Sequence, residues 1–423
     1  MTDGRDGRSP RILCISPAFV PQANAEAFCA AKMVMALTAE GVDVTVLQDE
    51  RYVIQGTFGR DPSAMWQEPL GTVAGMGPVS HGPLQAFWHL VRYRAYTRWT
   101  DAAVGRAREL HAGKPFDLVY SRSLPPQAHV AGFWCARELH LPWVANINDP
   151  WDVHLFPGGA KEKVSWTRAR LSRYWLRKTL READLVTYPC RRLAAFTCRL
   201  AGIERAGEVI PHVGLSLPAD DRQTRFHLVH AGKLGVRELT GGRSSRGLLT
   251  GLARFLEQRP EARGLTRLTF VGFEDPETCS LIIELGLQGT VACTGQTSYE
   301  ESLRWIASAS VCVLVETDMS EGIYLPSKVA DYVAAGKPVL ALSPAVGTIA
   351  DMLPDAGLVR VGVEDTGAVA EAITDLFEAY RQGALDTRKP SEKLVRTFRA
   401  EAVAGAFLAH VRRLTSAPGK LRK

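Results

Sequence analysis

Short apolar runs alternate with helix-length stretches along nearly the whole chain, and this alternation leaves few folds open. Arg11-Ile12-Leu13-Cys14-Ile15-Ser16 is the first such run, ended by Pro17. Residues 25–40 then have helical composition and stop at Gly41, and Val42-Asp43-Val44-Thr45-Val46-Leu47 reads as a second strand. That is a strand–helix–strand unit of the length a parallel sheet requires. Asp117–Tyr120, a helix over 126–140, Trp143–Ile147, a helix over 165–182 and Asp184–Tyr188 continue the series. Strands alternating with helices in this way predict a doubly wound α/β domain.

The same grammar restarts after a break. Glu208-Val209-Ile210-Pro211 closes the first series, and a polar, proline-bearing stretch follows from Leu217 to Arg222. New strands are expected at 226–232, 268–272, 291–293, 311–315, 339–342 and 358–361, with helices such as 299–309 and 326–335 between them. A last amphipathic helix covers 392–415 with no strand after it. This divides the chain into a polar tail (1–10), a first domain (11–216), a linker (217–225), a second domain (226–390) and a final helix with its tail (391–423). Two parallel-sheet domains in succession, with a cleft between them, are the architecture these patterns predict. At 423 residues the chain has the length for two such domains.

Composition removes other classes. Hydrophobic residues make up 46% and charged residues 23%, which is ordinary for a globular protein. The longest apolar runs, such as Val311-Cys312-Val313-Leu314-Val315, are strand-sized and far short of the ~20 residues that span a bilayer. The start, MTDGRDGRSP, lacks the apolar core of a signal peptide, so a cytoplasmic protein is expected. The 8 cysteines are scattered without a C-x-x-C pair, so neither a disulfide framework nor a zinc site is expected. The net charge of +6 is mild; where the charge sits says more about partners than its sum.

Two stretches of the second series have the chemistry of an anion site. The first strand ends in His230-Ala231-Gly232-Lys233, and Gly241-Gly242-Arg243-Ser244-Ser245-Arg246-Gly247 follows. Gly232 lets a backbone approach a ligand closely, and the later segment brings cations to the start of a helix. After the strand 311–315 comes Glu321-Gly322-Ile323-Tyr324-Leu325-Pro326-Ser327-Lys328-Val329-Ala330-Asp331-Tyr332. Pro326 suits the first turn of a helix, placing Ser327 and Lys328 at its N-terminus, where amides, hydroxyl and ammonium can meet a diphosphate. Asp331, about one turn on, is a candidate to accept hydrogen bonds from ribose. The same residues also read as an ordinary helix start with a surface ion pair.

The run Leu325–Tyr332, continuing through Ala335-Gly336-Lys337-Pro338-Val339-Leu340-Ala341, resembles the nucleotide-sugar-binding segment of GT-B glycosyltransferases, nearest to the retaining family 4 group. Phe226–Gly232 with Gly241-Gly242-Arg243 resembles the first strand and basic loop of that family's donor domain, and Asn148-Asp149-Pro150-Trp151 an element of the acceptor domain of one branch. The resemblance implies an α/β GT-B fold: two doubly wound Rossmann-like domains face a central cleft, acceptor side first and donor side second, and the last helix crosses back to the first domain. It implies that Lys328 and Arg243 neutralise the leaving diphosphate, assisted by Lys233 or Arg246, with Gly232 and Ser327 lining the donor. Glu321-Gly322 falls near the transferred sugar and Asp331 on the ribose. Asp149 and His154 are candidates to position the acceptor hydroxyl, with Asn24 and Trp151 on the same side; a plain loop histidine is the other reading of His154. Two positions depart from the family pattern. The second glutamate of its two-glutamate motif is Val329 here, and the usual glycine pair of the first loop is replaced by Gln22-Ala23-Asn24-Ala25-Glu26.

The expected chemistry is sugar transfer from a UDP- or GDP-linked donor to a hydroxyl, with retention. Negative charge grows on the departing phosphate, and fixed cations can stabilise it. No Asp-x-Asp occurs in the sequence, so neither a metal nor a further cofactor is expected. A non-catalytic partner subunit and a sugar-nucleotide epimerase on the same fold are the alternatives; no G-x-G-x-x-G follows either opening strand, which weighs against a dinucleotide dehydrogenase. Finally, residues 161–178 are strongly basic and aromatic, with Trp166, Arg170, Arg173 and Arg177 at helical spacing and Trp175 nearby; residues 87–99 repeat the theme. Such a helix suits the surface of an anionic membrane, where the acceptor can be lipid-linked. A solvated helix face is the plainer reading, and no nucleic-acid module is present.

Overall fold

The computed structural model describes residues 9–49, 59–66, 70, 72–76, 98–151, 166–205, 207–217, 225–234, 243–272, 274–355 and 357–416. The described residues form two compact units. One holds those up to Trp151, from Trp166 to Ile210 and from Ala400 onward; the other holds those from Pro211 to Arg399.

The first unit is built on seven parallel strands: β1 (Arg11–Ile15), β2 (Asp43–Asp49), β3 (Thr72–Met76), β4 (Leu118–Ser123), β5 (Trp143–Ile147), β6 (Leu185–Tyr188) and β7 (Glu208–Val209). Their order across the sheet is β3-β2-β1-β4-β5-β6-β7, so the winding reverses between β1 and β4. Sheets covered on both faces favour continuous apolar strands, and β1, β4 and β5 are buried along their whole length. β3 is a strand the apolar pattern does not announce: it is short, contains Gly75, sits at the sheet edge and leaves Val73 40% exposed.

The second unit carries β8 (Phe226–Ala231), β9 (Thr266–Val271), β10 (Val291–Cys293), β11 (Val311–Val315), β12 (Val339–Leu342) and β13 (Leu358–Val361), all parallel. The order is β10-β9-β8-β11-β12-β13, with the reversal between β8 and β11. Phe226 and Leu228 of β8 and Val311, Val313 and Val315 of β11 share one core with Leu248, Leu252 and Phe255 of the helix Arg246–Gln258 and Ile373 and Phe377 of Thr366–Arg381. In each unit the reversal opens a crevice at the carboxyl ends of two strands, the place where doubly wound sheets bind ligands.

Two helical expectations change. The helix expected from Pro326 starts at Ser327, with Pro326 as its cap residue and no side chain capping it. The single helix expected over 392–415 is two, Glu392–Phe398 and Ala400–Ser416, broken by the extended backbone of Arg399. The break serves two packing partners: the shorter helix lies on Ser327–Ala334 in the second unit, while the longer returns to the first unit and packs on Ala25–Ala39.

Candidate functional site

In the second unit Gly232, Arg243 and Lys328 gather at the reversal between β8 and β11. Gly232 follows the last residue of β8, and its φ of +102° is one that L side chains rarely adopt. A Cβ placed there would stand 3.0 Å from the Lys328 ammonium; the glycine makes room for the cation. Lys328 comes from the first turn of Ser327–Ala334, and this helix is tied to both strands through Tyr332. The Tyr332 hydroxyl accepts from the Ala231 N–H (2.9 Å) and donates to the Val313 carbonyl (3.3 Å).

Around Lys328 stand His230, Arg243 and Glu316. Its Nζ lies 3.4 Å from His230 Nε2. Burial pulls the Lys328 pKa well below the ordinary lysine value, the Arg243 charge adds to that, and Glu316 opposes it. Glu316, 5% exposed at the end of β11, is pushed up to about 7 by burial against the pull of Arg243 and Lys328. The crevice therefore offers two cations and a buried carboxyl that lies within their field. An anion with several charges can be held there by charge-assisted bonds, strengthened by low exposure. His230 and Glu316 were given no role by the sequence. Each lies at or next to the carboxyl end of a strand flanking the reversal, but only the strand order reveals that β8 and β11 are neighbours.

The other donor-side candidates take distinct places. Lys233 follows Gly232 and is partly buried, which lowers its pKa. Arg246 is largely exposed and turned to Glu277 at 3.3 Å, so it pairs on the surface. Ser327 is partly exposed at the helix start. Glu321 and Gly322 dock on the loop after β12: Gly322 N–H donates to Val346 O and Thr348 N–H to Gly322 O, both at 2.8 Å. Gly347 lies so close there that a Cβ on it would be 3.0 Å from the Gly322 backbone. Asp331, expected on the ribose, is 4% exposed, and its carboxylate accepts from Leu215 N–H (2.9 Å) and the Tyr299 hydroxyl (2.8 Å). In this structure it braces the helix. Val329 is fully buried, which accounts for an apolar residue where the family pattern has glutamate.

In the first unit a second set lies at the ends of β1, β4 and β5. Asn24 caps the helix Ala25–Ala39, its Oδ1 accepting from Ala27 N–H at 2.9 Å. Asn148 donates to Glu26 at 2.8 Å. Glu26 is 8% exposed and its pKa is raised by burial, the nearby Arg122 opposing. Arg122, itself 4% exposed, donates to the Tyr120 hydroxyl at 2.6 Å. Asp149 is partly exposed beside them and adds its charge to Glu26. His154 lies outside the described residues, as do Gly241, Gly242 and most of 87–99.

Trp151 and Trp175 are corrected. Each is 1% exposed, so neither presents itself to an acceptor or a membrane. Trp151 stacks on His129 with ring centroids 5.2 Å apart, and Trp175 packs edge-on against Phe133 at 5.7 Å. Helical spacing alone put Trp175 beside the cations, but the side chain points inward, as amphipathic periodicity allows. The opposite face of Trp166–Glu182 holds Trp166 (70% exposed), Tyr174 (41%) and exposed Arg170, Arg173, Arg177 and Arg181. Arg170 sits over the Trp166 ring at 4.5 Å, and Arg177 donates to Ala201 O at 2.7 Å.

Comparison with known proteins agrees with this layout. Residues 27–213 match the family described as a glycosyl transferase 4-like domain, and residues 242–379 match glycosyl transferases group 1. Together they take in about three quarters of the chain. Among solved structures, sucrose-phosphate synthase from Thermosynechococcus elongatus is similar at 19% identity and TM-score 0.64, covering 97% of this chain and 100% of that one. HepE from Anabaena, in complex with UDP and glucose, is similar at 15% identity and TM-score 0.68, covering 96% and 100%. A putative UDP-N-acetylglucosamine 2-epimerase from Listeria monocytogenes is similar at 12% identity and TM-score 0.55, covering 96% of each chain. At these identities the likeness is one of fold. No curated protein sequence matches the chain.

Proposed function

Because the chain belongs to the GT-B glycosyltransferases of the family 4 type, we propose that it moves a sugar from a nucleoside-diphosphate donor to a hydroxyl acceptor, with retention and without a metal ion. One observation carries the reading: Lys328 and Arg243 converge with Glu316 at the strand reversal of the second unit. As the bond from the anomeric carbon to the diphosphate breaks, charge builds on the departing oxygens. Two fixed cations in a partly buried site stabilise that charge directly and fill the place a bridging metal takes elsewhere. Loss of one such group costs about 100- to 1,000-fold in turnover. Retention fits a pocket in which the leaving phosphate takes the proton of a hydroxyl attacking from its own side. The UDP bound to HepE makes UDP the first base to test, with GDP second.

We assign the acceptor to the first unit, at the set formed by Asn24, Glu26, Asn148 and Asp149, and the donor to the second. We also assign the exposed face of Trp166–Glu182 to an anionic membrane surface, which suits a lipid-linked acceptor and the inner face of the plasma membrane. Among the described residues none of Arg170, Arg173, Arg177 or Arg181 has an ion-pair partner, and no helix is long and apolar enough to cross a bilayer.

Turnover with EDTA present, followed by proton NMR of the product, tests the chemistry. The expected product is a glycoside with the donor's anomeric configuration, and Arg243→Ala and Lys328→Ala each lower the rate by about two to three orders of magnitude. A free 2-epimer as product would give the epimerase reading its due. An inverted glycoside, or activity that vanishes with the metal, would overturn the mechanism.

A further inference from the structure

His230 is fully buried in the middle of the second sheet, where an aliphatic residue would pack more cheaply. The Val313 carbonyl sets the proton on one of its nitrogens. Nδ1 lies 3.0 Å from the Val313 carbonyl. A carbonyl oxygen only accepts, so Nδ1 carries the proton, and in a neutral ring Nε2 is left with a lone pair. That lone pair faces the Lys328 ammonium at 3.4 Å. The Phe270 ring, 5.8 Å away centroid to centroid, closes the β9 side, and the Gly232 backbone is a second acceptor beside the imidazole. The charged groups that act on the ring are Lys328 and Arg243. Both are positive, and together with burial they hold the imidazole neutral.

We propose that His230 is a positioning residue for the donor cation: with its proton fixed on Nδ1, its Nε2 accepts a hydrogen bond from Lys328 and holds that ammonium above Gly232, aimed at the diphosphate. The inference rests on the reading of Lys328 as a diphosphate clamp. A lysine has four rotatable side-chain bonds and loses much freedom when pinned; a buried acceptor fixes it before the ligand arrives. The same acceptor favours the charged form of Lys328, as Glu316 does, against the burial and the Arg243 charge that disfavour it.

The test is calorimetric binding of UDP across a pH series to the wild type, His230→Leu, His230→Gln and Lys328→Met. In the wild type affinity falls as pH rises through the depressed Lys328 pKa. With His230→Leu the affinity drops about tenfold, the scale of one lost hydrogen bond to a charged group, and the alkaline fall moves to lower pH. His230→Gln, whose side-chain oxygen can accept, restores both. If Lys328→Met weakens UDP binding while His230→Leu binds with wild-type affinity and an unmoved profile, the inference is overturned and the donor site stands. If Lys328→Met binds UDP as the wild type does, the clamp itself fails. Nitrogen-15 NMR of the histidines in the wild-type protein supplies an independent check that needs no variant. A neutral ring protonated on Nδ1 is expected for His230, and protonation on Nε2 would overturn the inference.

Discussion

Gly232 and Lys328 depend on one another at the scale of single residues. The backbone at Gly232 has φ of +102° and its missing Cβ leaves the space the Lys328 ammonium occupies. Gly232→Ala therefore meets two penalties, about 1–2 kcal/mol for the conformation and a displaced cation. The variant should melt lower and bind UDP at least about tenfold more weakly, a change of about 1.4 kcal/mol; unchanged affinity in a folded variant would show that the ammonium acts from elsewhere. A second prediction concerns pH. Burial, followed by the charge of Arg243, holds the Lys328 pKa well below the ordinary lysine value, so the ammonium is lost earlier as pH rises, and donor affinity falls with it. Arginine stays charged throughout that range, so Lys328→Arg should flatten the alkaline side of the UDP affinity profile even where it lowers affinity overall. A profile that keeps its alkaline fall would place the titrating group elsewhere. At this scale the sequence was legible where residues carry a local signature, as Pro326-Ser327-Lys328 does at a helix start. It was silent on His230 and Glu316, because the meaning of His230 comes from Val313 and Lys328, 83 and 98 residues on, and that of Glu316 from the basic groups that the pairing of β8 with β11 brings near. It pointed Asp331 to a ribose without showing that its carboxylate also has protein partners, contributed by Leu215 and Tyr299.

Elements show the same division between local and distant causes. Strands that are mostly apolar and buried along their whole length, such as β1, β5, β8 and β11, were plain in the sequence, because burial on both faces favours such runs. β3 was not, since an edge strand needs only one covered side. The break at Arg399 was hidden too: both halves keep a helical period, and only their different packing partners separate them. The helix Trp166–Glu182 divides by face, with Trp175, Leu176 and Leu180 buried and Trp166, Arg170, Arg173 and Tyr174 exposed. The proposed membrane contact belongs to that outer face. Arg170→Glu with Arg173→Glu should weaken sedimentation with vesicles of phosphatidylcholine and phosphatidylglycerol by about tenfold or more, at about 1 kcal/mol for each basic residue near an anionic surface. Arg177 is left alone because it holds Ala201 O. Equal binding to vesicles of pure phosphatidylcholine, or no loss on charge reversal, would return this face to solvent.

For the whole molecule, each unit repeats one solution: a parallel sheet whose winding reverses once, opening a crevice at the carboxyl ends of the strands. The units differ in what fills it. The first has a mostly buried polar set around Glu26 and Arg122; the second has the two cations with Glu316. The doubling of the fold was legible because strand–helix alternation is a chain-long pattern. The sugar, the base and the acceptor were not, because recognition is made by loops whose course no local pattern sets. The central claim is that the cation pair of the second unit binds a nucleoside diphosphate without a metal. Calorimetric titration of UDP and GDP in EDTA, into the wild type and into the Arg243→Ala, Lys328→Ala double variant, tests it most directly. The account predicts that one of the two binds the wild type and that the double variant, still folded, loses it; no binding to the wild type, or equal binding to both proteins, would contradict it.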